Sequence, residues 1–313
     1  MSTPIAGLHH VTALAKSPQE NKRFYTTVLA QRMVKRTVNF DDPSTYHLYY
    51  GDDLGSPGTL LTHFPHPYAR RGVHGNHEIE RTILAIPQGS SGFWRERLDR
   101  YDVGVEAAEA FGQSRLHFAD HDGMLFALAE QDESGAAPVP VIGDRGGLPG
   151  DRALGRILGV AIRVREAEAT ATALTGALGF RAGATEGRSQ RFTVGEGAKQ
   201  AWVELIEDPD APESDMGAGT VHHVAWRVAT DEDQAEVGER LREARIGVTE
   251  VRDRFYFRSI YFRMPGGVIF EIATDGPGMD ADEPRDALGA TLQIPPMYKS
   301  QGAQIAAHLE PLE

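Results

Sequence analysis

Cysteine is absent from all 313 residues, which excludes disulfides, thiolate metal sites and cysteine nucleophiles. The same absence fits a reducing cytoplasm. No apolar run approaches the roughly 20 residues that a membrane span needs. The opening segment MSTPIAGLHHVT has no basic stretch leading into an apolar one, so no signal peptide is expected. Basic residues are also in deficit: 32 Lys and Arg face 45 Asp and Glu, a net charge of −13. Phosphate backbones and anionic membranes require concentrated cations, so neither nucleic acid nor a membrane is an expected partner. Three catalytic signatures are missing as well: a G-x-S-x-G elbow, a P-loop, and a G-x-G-x-x-G opening a helix after a strand. A soluble cytoplasmic protein is the expectation.

What is present is an ordinary globular mixture, 41% hydrophobic and 25% charged, in a chain long enough for two domains. One order of elements, strand–helix–three strands, recurs four times, and such repeats decide the architecture. In the first copy Leu8–Ala13 alternates as a strand should. Ser17, Pro18 and Glu20 then read as N-cap, N1 and N3 of a helix running to about Leu29. Strands are expected at Arg32–Phe40, Tyr46–Tyr50 and Thr59–Phe64. The second copy opens at Ile79–Ile86, has a helix near Phe93–Tyr101 and closes at Met124–Glu130. The third opens at Ile157–Val164, has a helix near Glu166–Leu178 and closes at Ala201–Glu207. The fourth opens at Val221–Val228, has a helix near Glu232–Ala244 and closes at Val268–Thr274. Joints at Pro65–Gly75, Pro138–Gly155 and Asp208–Gly219 separate them. The tail after Gly278 is polar, with a short helix near Gln304–Leu309.

Twelve histidines are present. His63, His66, His74 and His77 fall around a joint and read as solvated, as do His117, His121 and His308 elsewhere. Two pairs stand apart, His9-His10 and His222-His223, at corresponding places on the opening strands of copies one and four. Side chains alternate across a strand, so one histidine of each pair faces a given site and the other turns away or acts from behind. Glu271 lies in the apolar run Val268–Ala273, where an unpaired carboxylate would cost several kcal/mol. It therefore either pairs with Arg254, Arg258 or Arg263, or binds a metal. Two histidines and one carboxylate on neighbouring strands make a facial triad with open positions, the pattern of non-haem Fe(II), with Mn(II) as a substitute. Zinc or nickel lyase sites use the same ligand types.

The stretches GLHHVT (Gly7–Thr12), VKRTVNFDDPSTYHLYYGDDLGSPGT (Val34–Thr59), GTVHHVAWRV (Gly219–Val228) and DRFYFRSIYFRMPGGVIFEIATDGPG (Asp253–Gly278) resemble the vicinal-oxygen-chelate (glyoxalase/bleomycin-resistance/dioxygenase) superfamily. The branch resembled contains the hydroquinone and chlorohydroquinone 1,2-dioxygenases, and the likeness covers nearly the whole chain. It implies an α+β fold of four βαβββ modules forming two cups of curved mixed sheet with flanking helices. Modules one and four (1–75 and 210–313) would build a metal-binding cup, and modules two and three (76–209) a structural one. The second histidine of each pair, His10 and His223, would bind the metal together with Glu271. His222 would sit beside the iron without ligating it, Arg254 and Tyr261 would line the substrate pocket, and Thr12 would face the site from the His10 strand. His47 and Asp52 could line the pocket or end a strand, and the strand-ending reading is favoured.

The implied activity is that of a non-haem Fe(II) extradiol-type dioxygenase, taking O2 and a small aromatic diol of the hydroquinone class. A glyoxalase-type lyase or isomerase on the same scaffold is the alternative, and a binding protein without turnover is a third reading. A homo-oligomer is compatible with the sequence, which does not set the oligomeric state. In the second cup the opening strands, Glu80–Leu84 and Ile157–Ala161, carry no histidine. The positions matching Glu271 are Ala127 and Glu204, so one metal per chain is expected, in the first cup.

Overall fold

The computed structural model describes residues 3–131 and 148–313. The first unit comprises β1 (Gly7–Ala15), α1 (Pro18–Arg23), β2 (Arg32–Val38), β3 (Tyr46–Gly51) and β4 (Leu60–Pro65). The second comprises β5 (Glu78–Pro87), α2 (Ser91–Arg100), β6 (Glu106–Ala110), β7 (Gln113–Ala119) and β8 (Leu125–Gln131). The third holds β9 (Ile157–Val164), α3 (Glu168–Gly176), β10 (Arg181–Glu186), β11 (Ser189–Val194) and β12 (Ala201–Glu207). The fourth holds β13 (Val221–Val228), α4 (Asp231–Glu243), β14 (Arg252–Asp253), β15 (Arg258–Arg263) and β16 (Ile269–Thr274), and α5 (Gly302–His308) closes the chain. No helix among the described residues is long and apolar enough to cross a membrane.

The sixteen strands form two eight-stranded mixed sheets. One runs β14-β15-β16-β13-β1-β4-β3-β2, the other β10-β11-β12-β9-β5-β8-β7-β6. The first and fourth units therefore share a sheet, joined where β1 and β13 pair antiparallel. The second and third share the other through β5 and β9. One continuous apolar cluster draws on both sheets and on the helices, with Trp226, Phe270, Trp94, Leu98, Leu174 and Leu241 among its members. Two smaller clusters sit apart, one around Tyr49, Ala225 and Phe257 and one around Ile83, Ala127 and Trp202. The joints at 65–75 and 208–219 run side by side, bridged at Arg71–Ala218 and Val73–Asp215. The third expected joint, Pro138–Gly155, falls partly outside the described residues.

Local details differ from the sequence expectations in three places. Ser17 does cap α1 by accepting from the Glu20 amide, but α-geometry stops at Arg23 and a π-helical turn carries the chain from Phe24 to Val28. Phe24, Val28 and Leu29 are nevertheless buried, so the wider turn keeps the apolar face on the core. The tail after Gly278 is polar but not free. It lies along β2, with the Gln293 amide donating to the Arg36 carbonyl and Thr37 donating to the Gln293 carbonyl. Thirdly, of the histidines of the first joint, His63 is not solvated but lies inside β4, buried, whereas His66, His74 and His77 are half-buried.

The His63 ring is 4.3 Å from that of Tyr25 and 5.8 Å from that of Tyr50, and neither of its nitrogens has a hydrogen-bond partner. Burial, helped by the charge of His121, pulls its pKa down to about 3. The unfolded chain takes up a proton below about pH 6.5 that the folded chain refuses, so folding stability falls as the pH drops below that value. At pH 5 the deficit is about 2 kcal/mol, since each unit is worth about 1.4 kcal/mol. His63→Leu is expected to remove that loss, measured by urea unfolding at pH 7 and pH 5. An unchanged difference between the two pH values would mean that the ring titrates normally.

Candidate metal centre

The ladder that joins the two outer units brings the histidine pairs together. Along β1 and β13, Leu8 faces Trp226 and His10 faces Ala225, which leaves His9 as an extra residue. Further on, Thr12 faces His223 and Ala13 faces Val221, which leaves His222 extra. Each pair thus contains a β-bulge, and a bulge re-aims side chains that strict alternation would send to opposite faces. The Nδ1 atoms of His9 and His10 are 2.9 Å apart, and those of His222 and His223 are 2.7 Å apart. One ring of each pair donates to the other, which fixes both rings and leaves the Nε2 atoms of His10 and His223 to face each other at 3.3 Å.

Glu271 enters from β16, where it pairs with Ala225 of β13. Its Oε2 lies 2.9 Å from His223 Nε2 and 3.4 Å from His10 Nε2. All three side chains are buried, and they form the one such metal-competent group among the described residues. Oε1 accepts from the Ser259 hydroxyl, whereas Oε2 is buried and makes no hydrogen bond of acceptable geometry. The arginines that might have neutralised it are engaged elsewhere. Arg254 pairs with Asp41, Arg258 with Asp231, and Arg263 donates to the Gly267 carbonyl.

Burial raises the Glu271 carboxyl pKa, but His10 and His223 outweigh it and hold the group well below its ordinary range. Burial pulls His223 down against the attraction of that same carboxylate. An ionised carboxylate facing two imidazole nitrogens is a donor set that divalent metals bind. Adjacent ligand atoms about 2.1 Å from a first-row ion stand about 3 Å apart, close to the separations found here. The orphaned carboxylate oxygen and the two-nitrogen, one-oxygen donor set therefore fit a divalent metal.

A cavity of about 390 Å³ opens on His10 and His223, with Glu271 buried behind its wall. His222, Arg254 and Tyr261 line it, together with His47, Tyr49, Asp41 and Phe257. Tyr261 faces Glu271 across the β15–β16 ladder, with its ring 5.7 Å from that of His223. Arg254 donates from Nε to the Tyr261 hydroxyl at 3.1 Å and from Nη2 to Asp41 at 2.8 Å. Burial, reinforced by Glu271, raises the Tyr261 phenol. Burial and the neighbouring His223 bring His222 down to about 3, so its imidazole is neutral.

Thr12 is buried and not on the cavity wall. It reaches the cavity through a chain: Thr12 to Thr62 at 2.8 Å, Thr62 to His47 Nε2 at 2.9 Å, and His47 Nδ1 to the Tyr49 hydroxyl at 2.8 Å. The reading of His47 as a strand-ending residue is thus corrected, while Asp52 does cap its turn by accepting from the Leu54 and Ser56 amides. The period-two pattern in His47-Leu48-Tyr49 was the available signal, since it puts both polar rings on one face.

The second sheet has the same ladder with different occupants. Arg81 faces Ala161 where His10 faces Ala225, and Gly159 faces Ile83 where His223 faces Thr12. Glu204 pairs with Ala161 as Glu271 pairs with Ala225. A Cβ on Gly159 would come within 2.4 Å of the Trp202 carbonyl, so no side chain fits there. Glu204 is held by Arg115 at 2.6 Å and Arg191 at 2.8 Å. Its charge is already satisfied.

Known proteins resemble the chain in sequence and in fold. The family model of the Glyoxalase/Bleomycin resistance protein/Dioxygenase superfamily matches residues 156–272. The provisionally named ring-cleaving dioxygenase MhqO of Bacillus subtilis (strain 168) is 39% identical over 313 residues, covering 100% of this chain and 98% of its own. The chlorohydroquinone/hydroquinone 1,2-dioxygenase of Sphingobium indicum is 34% identical over 94% of this chain and 93% of its own. A crystal structure of a provisionally named dioxygenase from Bacillus subtilis superposes with a TM-score of 0.93 at 38% identity, over 100% of this chain and 99% of that one. Glyoxalase I of Zea mays, 12% identical, shares the fold with a TM-score of 0.63 over 86% of this chain and 92% of its own. The chain belongs to the glyoxalase/bleomycin resistance/dioxygenase superfamily, as an enzyme whose full-length relatives are ring-cleaving dioxygenases.

Proposed function

We propose that the protein is a non-haem Fe(II) dioxygenase that opens the ring of an aromatic diol of the hydroquinone class, with His10, His223 and Glu271 as the metal ligands. The observation that carries this reading is the buried Glu271 Oε2, without a hydrogen bond, facing the Nε2 atoms of two histidines that line a cavity. The relative from Sphingobium, named for hydroquinone cleavage, supports the substrate class. Bound iron would supply open positions for the diol oxygen and O2 and a route for electrons between them. Both atoms of O2 enter the ring-opened product, and the diol itself furnishes the electrons, so no external reductant is required.

The chain's own groups prepare the substrate. Phe257 lies 5.0 Å from the His9 ring and 5.2 Å from the His10 ring, offering an aromatic face beside the metal. His222, on the cavity wall and neutral, is placed to accept a hydrogen bond from a diol hydroxyl and so orient it. The Arg254 guanidinium lies 5.2 Å from the Tyr261 ring centroid and polarises the Tyr261 hydroxyl it donates to, which then donates to developing negative charge. Nothing in these roles requires a membrane, and the enzyme is proposed to work in the cytoplasm.

Protein loaded anaerobically with Fe(II) is expected to consume one O2 per methylhydroquinone in an oxygen electrode, with kcat/KM for catechol at least about tenfold lower. A tenfold preference corresponds to about 1.4 kcal/mol at the transition state. If no aromatic diol supports oxygen uptake while a thiohemiacetal is isomerised, the glyoxalase-type reading replaces this one.

A further inference from the structure

Two arginines line the cavity, Arg252 and Arg254, and one carboxylate outside the metal-facing trio, Asp41. They are not equivalent. Arg254 is committed to Asp41 and Tyr261. Asp41 is in turn held ionised, chiefly by its hydrogen bond from Arg254. The Arg252 side chain makes no hydrogen bond and no ion pair among the described residues, although its charge is felt at Asp41, and the residue is exposed while lining the cavity. Apart from the histidines, the charged side chains on the cavity wall are two arginines and one carboxylate, Asp41. The chain as a whole has the opposite balance, −13, so an excess of cations on the cavity wall stands out as a place for an anion.

The position of this spare cation relative to the metal-facing residues defines what it can read. Arg252 sits on edge strand β14 opposite Ser259 of β15, and Ser259 donates to Glu271 of β16. Adjacent strands are about 4.8 Å apart, so the Arg252 backbone stands about 10 Å from the Glu271 strand. A cavity of about 390 Å³ is within the range that holds ligands larger than a bare ring. The neighbouring wall residues Asn39, Thr249 and His66 are polar, whereas Phe257 and Ile269 are apolar.

We propose that Arg252 is a specificity-determining residue that recognises an anionic arm on the aromatic diol, so that hydroquinone carboxylates are preferred over neutral hydroquinones. The inference rests on the dioxygenase reading for its turnover assay. A carboxylate pairs with the guanidinium in two parallel hydrogen bonds, which fixes the far end of the ring while the diol addresses the metal. A neutral diol leaves Arg252 in solvent and gains nothing from it.

The test compares homogentisate, a hydroquinone bearing an acetate arm, with methylhydroquinone in Fe(II)-loaded wild type and Arg252→Gln. Wild type is expected to favour the acid about tenfold in kcat/KM. The substitution should raise KM for the acid about tenfold, leave its kcat within about twofold, and leave both constants for methylhydroquinone unchanged. Arg252→Lys should restore part of the lost KM, and added salt should weaken only the acid. Equal effects on both substrates, or no preference in the wild type, would overturn the proposal. Anaerobic calorimetry of homogentisate binding separates the two readings. Weaker binding to Arg252→Gln without any oxygen uptake supports the anion site and sinks the dioxygenase, whereas equal binding to both proteins sinks the anion site.

Discussion

Glu271→Ala is expected to purify with less than about a tenth of the wild-type metal content and to consume oxygen only at background rate. Losing a partner that merely orients a ligand already weakens metal sites by about 10–100-fold, and Glu271 supplies an inner donor. The loss should not come from unfolding. No arginine depends on this carboxylate, and in metal-free protein its removal deletes a buried charge whose Oε2 has no hydrogen bond. Far-ultraviolet circular dichroism should therefore match the wild type. Added Fe(II) at about 100 times its Kd should stabilise the wild type by about 2.7 kcal/mol and leave the variant unmoved. His10→Ala and His223→Ala should behave alike.

Glu204→Ala supplies the contrasting control. It removes the same residue type from the matching place in the second sheet, where Arg115 and Arg191 are its partners. Metal content should stay at the wild-type level while stability falls by several kcal/mol, because Arg115 is left buried without a counter-charge. Full metal content in Glu271→Ala, by elemental analysis, would end the assignment of this site.

The contrast between these two glutamates shows where sequence reasoning succeeds. Strands such as Ile157–Val164, Ala201–Glu207 and Val221–Val228 have the ends expected from their apolar runs. These strands are hydrophobic on both faces because both faces are covered. Glu271 was legible for the same reason: a carboxylate among Val268, Ile269, Phe270 and Ile272 has to be paired or bound to a metal. The histidine pairs were legible as a repeat, but not the way both rings of a pair come within 3 Å of each other. Alternation predicts opposite faces, and only the register shifts at His9 and His222 override it. A bulge arises from how two distant strands are paired, which no local pattern records.

Other misreadings have the same origin. His63 and His47 belong to short strands whose burial is set by Tyr25 and Phe64, residues far from them in pattern though near in space. Arg252 and Arg254 look alike in the sequence. Only the approach of Asp41 from another part of the sheet distinguishes the committed arginine from the spare one.

Lys35→Ala is expected to cost about 3–5 kcal/mol of folding stability, the range found when one partner of a buried ion pair is removed. Nothing in the alternating run Arg32–Val38 marks this lysine as internal, yet it is fully buried. The reason lies in the tail. Its ammonium bonds Asp282 at 2.6 Å and Glu283 at 2.5 Å, and it lies 4.8 Å from the Tyr256 ring, whose hydroxyl donates to Asp282 at 2.9 Å. Arg32 adds bonds to the Arg285 and Asp286 carbonyls. Removing the ammonium leaves Glu283 buried without a counter-charge, so the tail should loosen from β2. The urea midpoint should fall with little change in slope. Because Tyr256 precedes the cavity residue Phe257, KM for the diol should rise as well. Lys35→Met combined with Glu283→Gln removes both charges together and should recover at least half of the lost stability. A double variant no more stable than Lys35→Ala would show that packing of the lysine stem, rather than the ion pair, holds the tail in place.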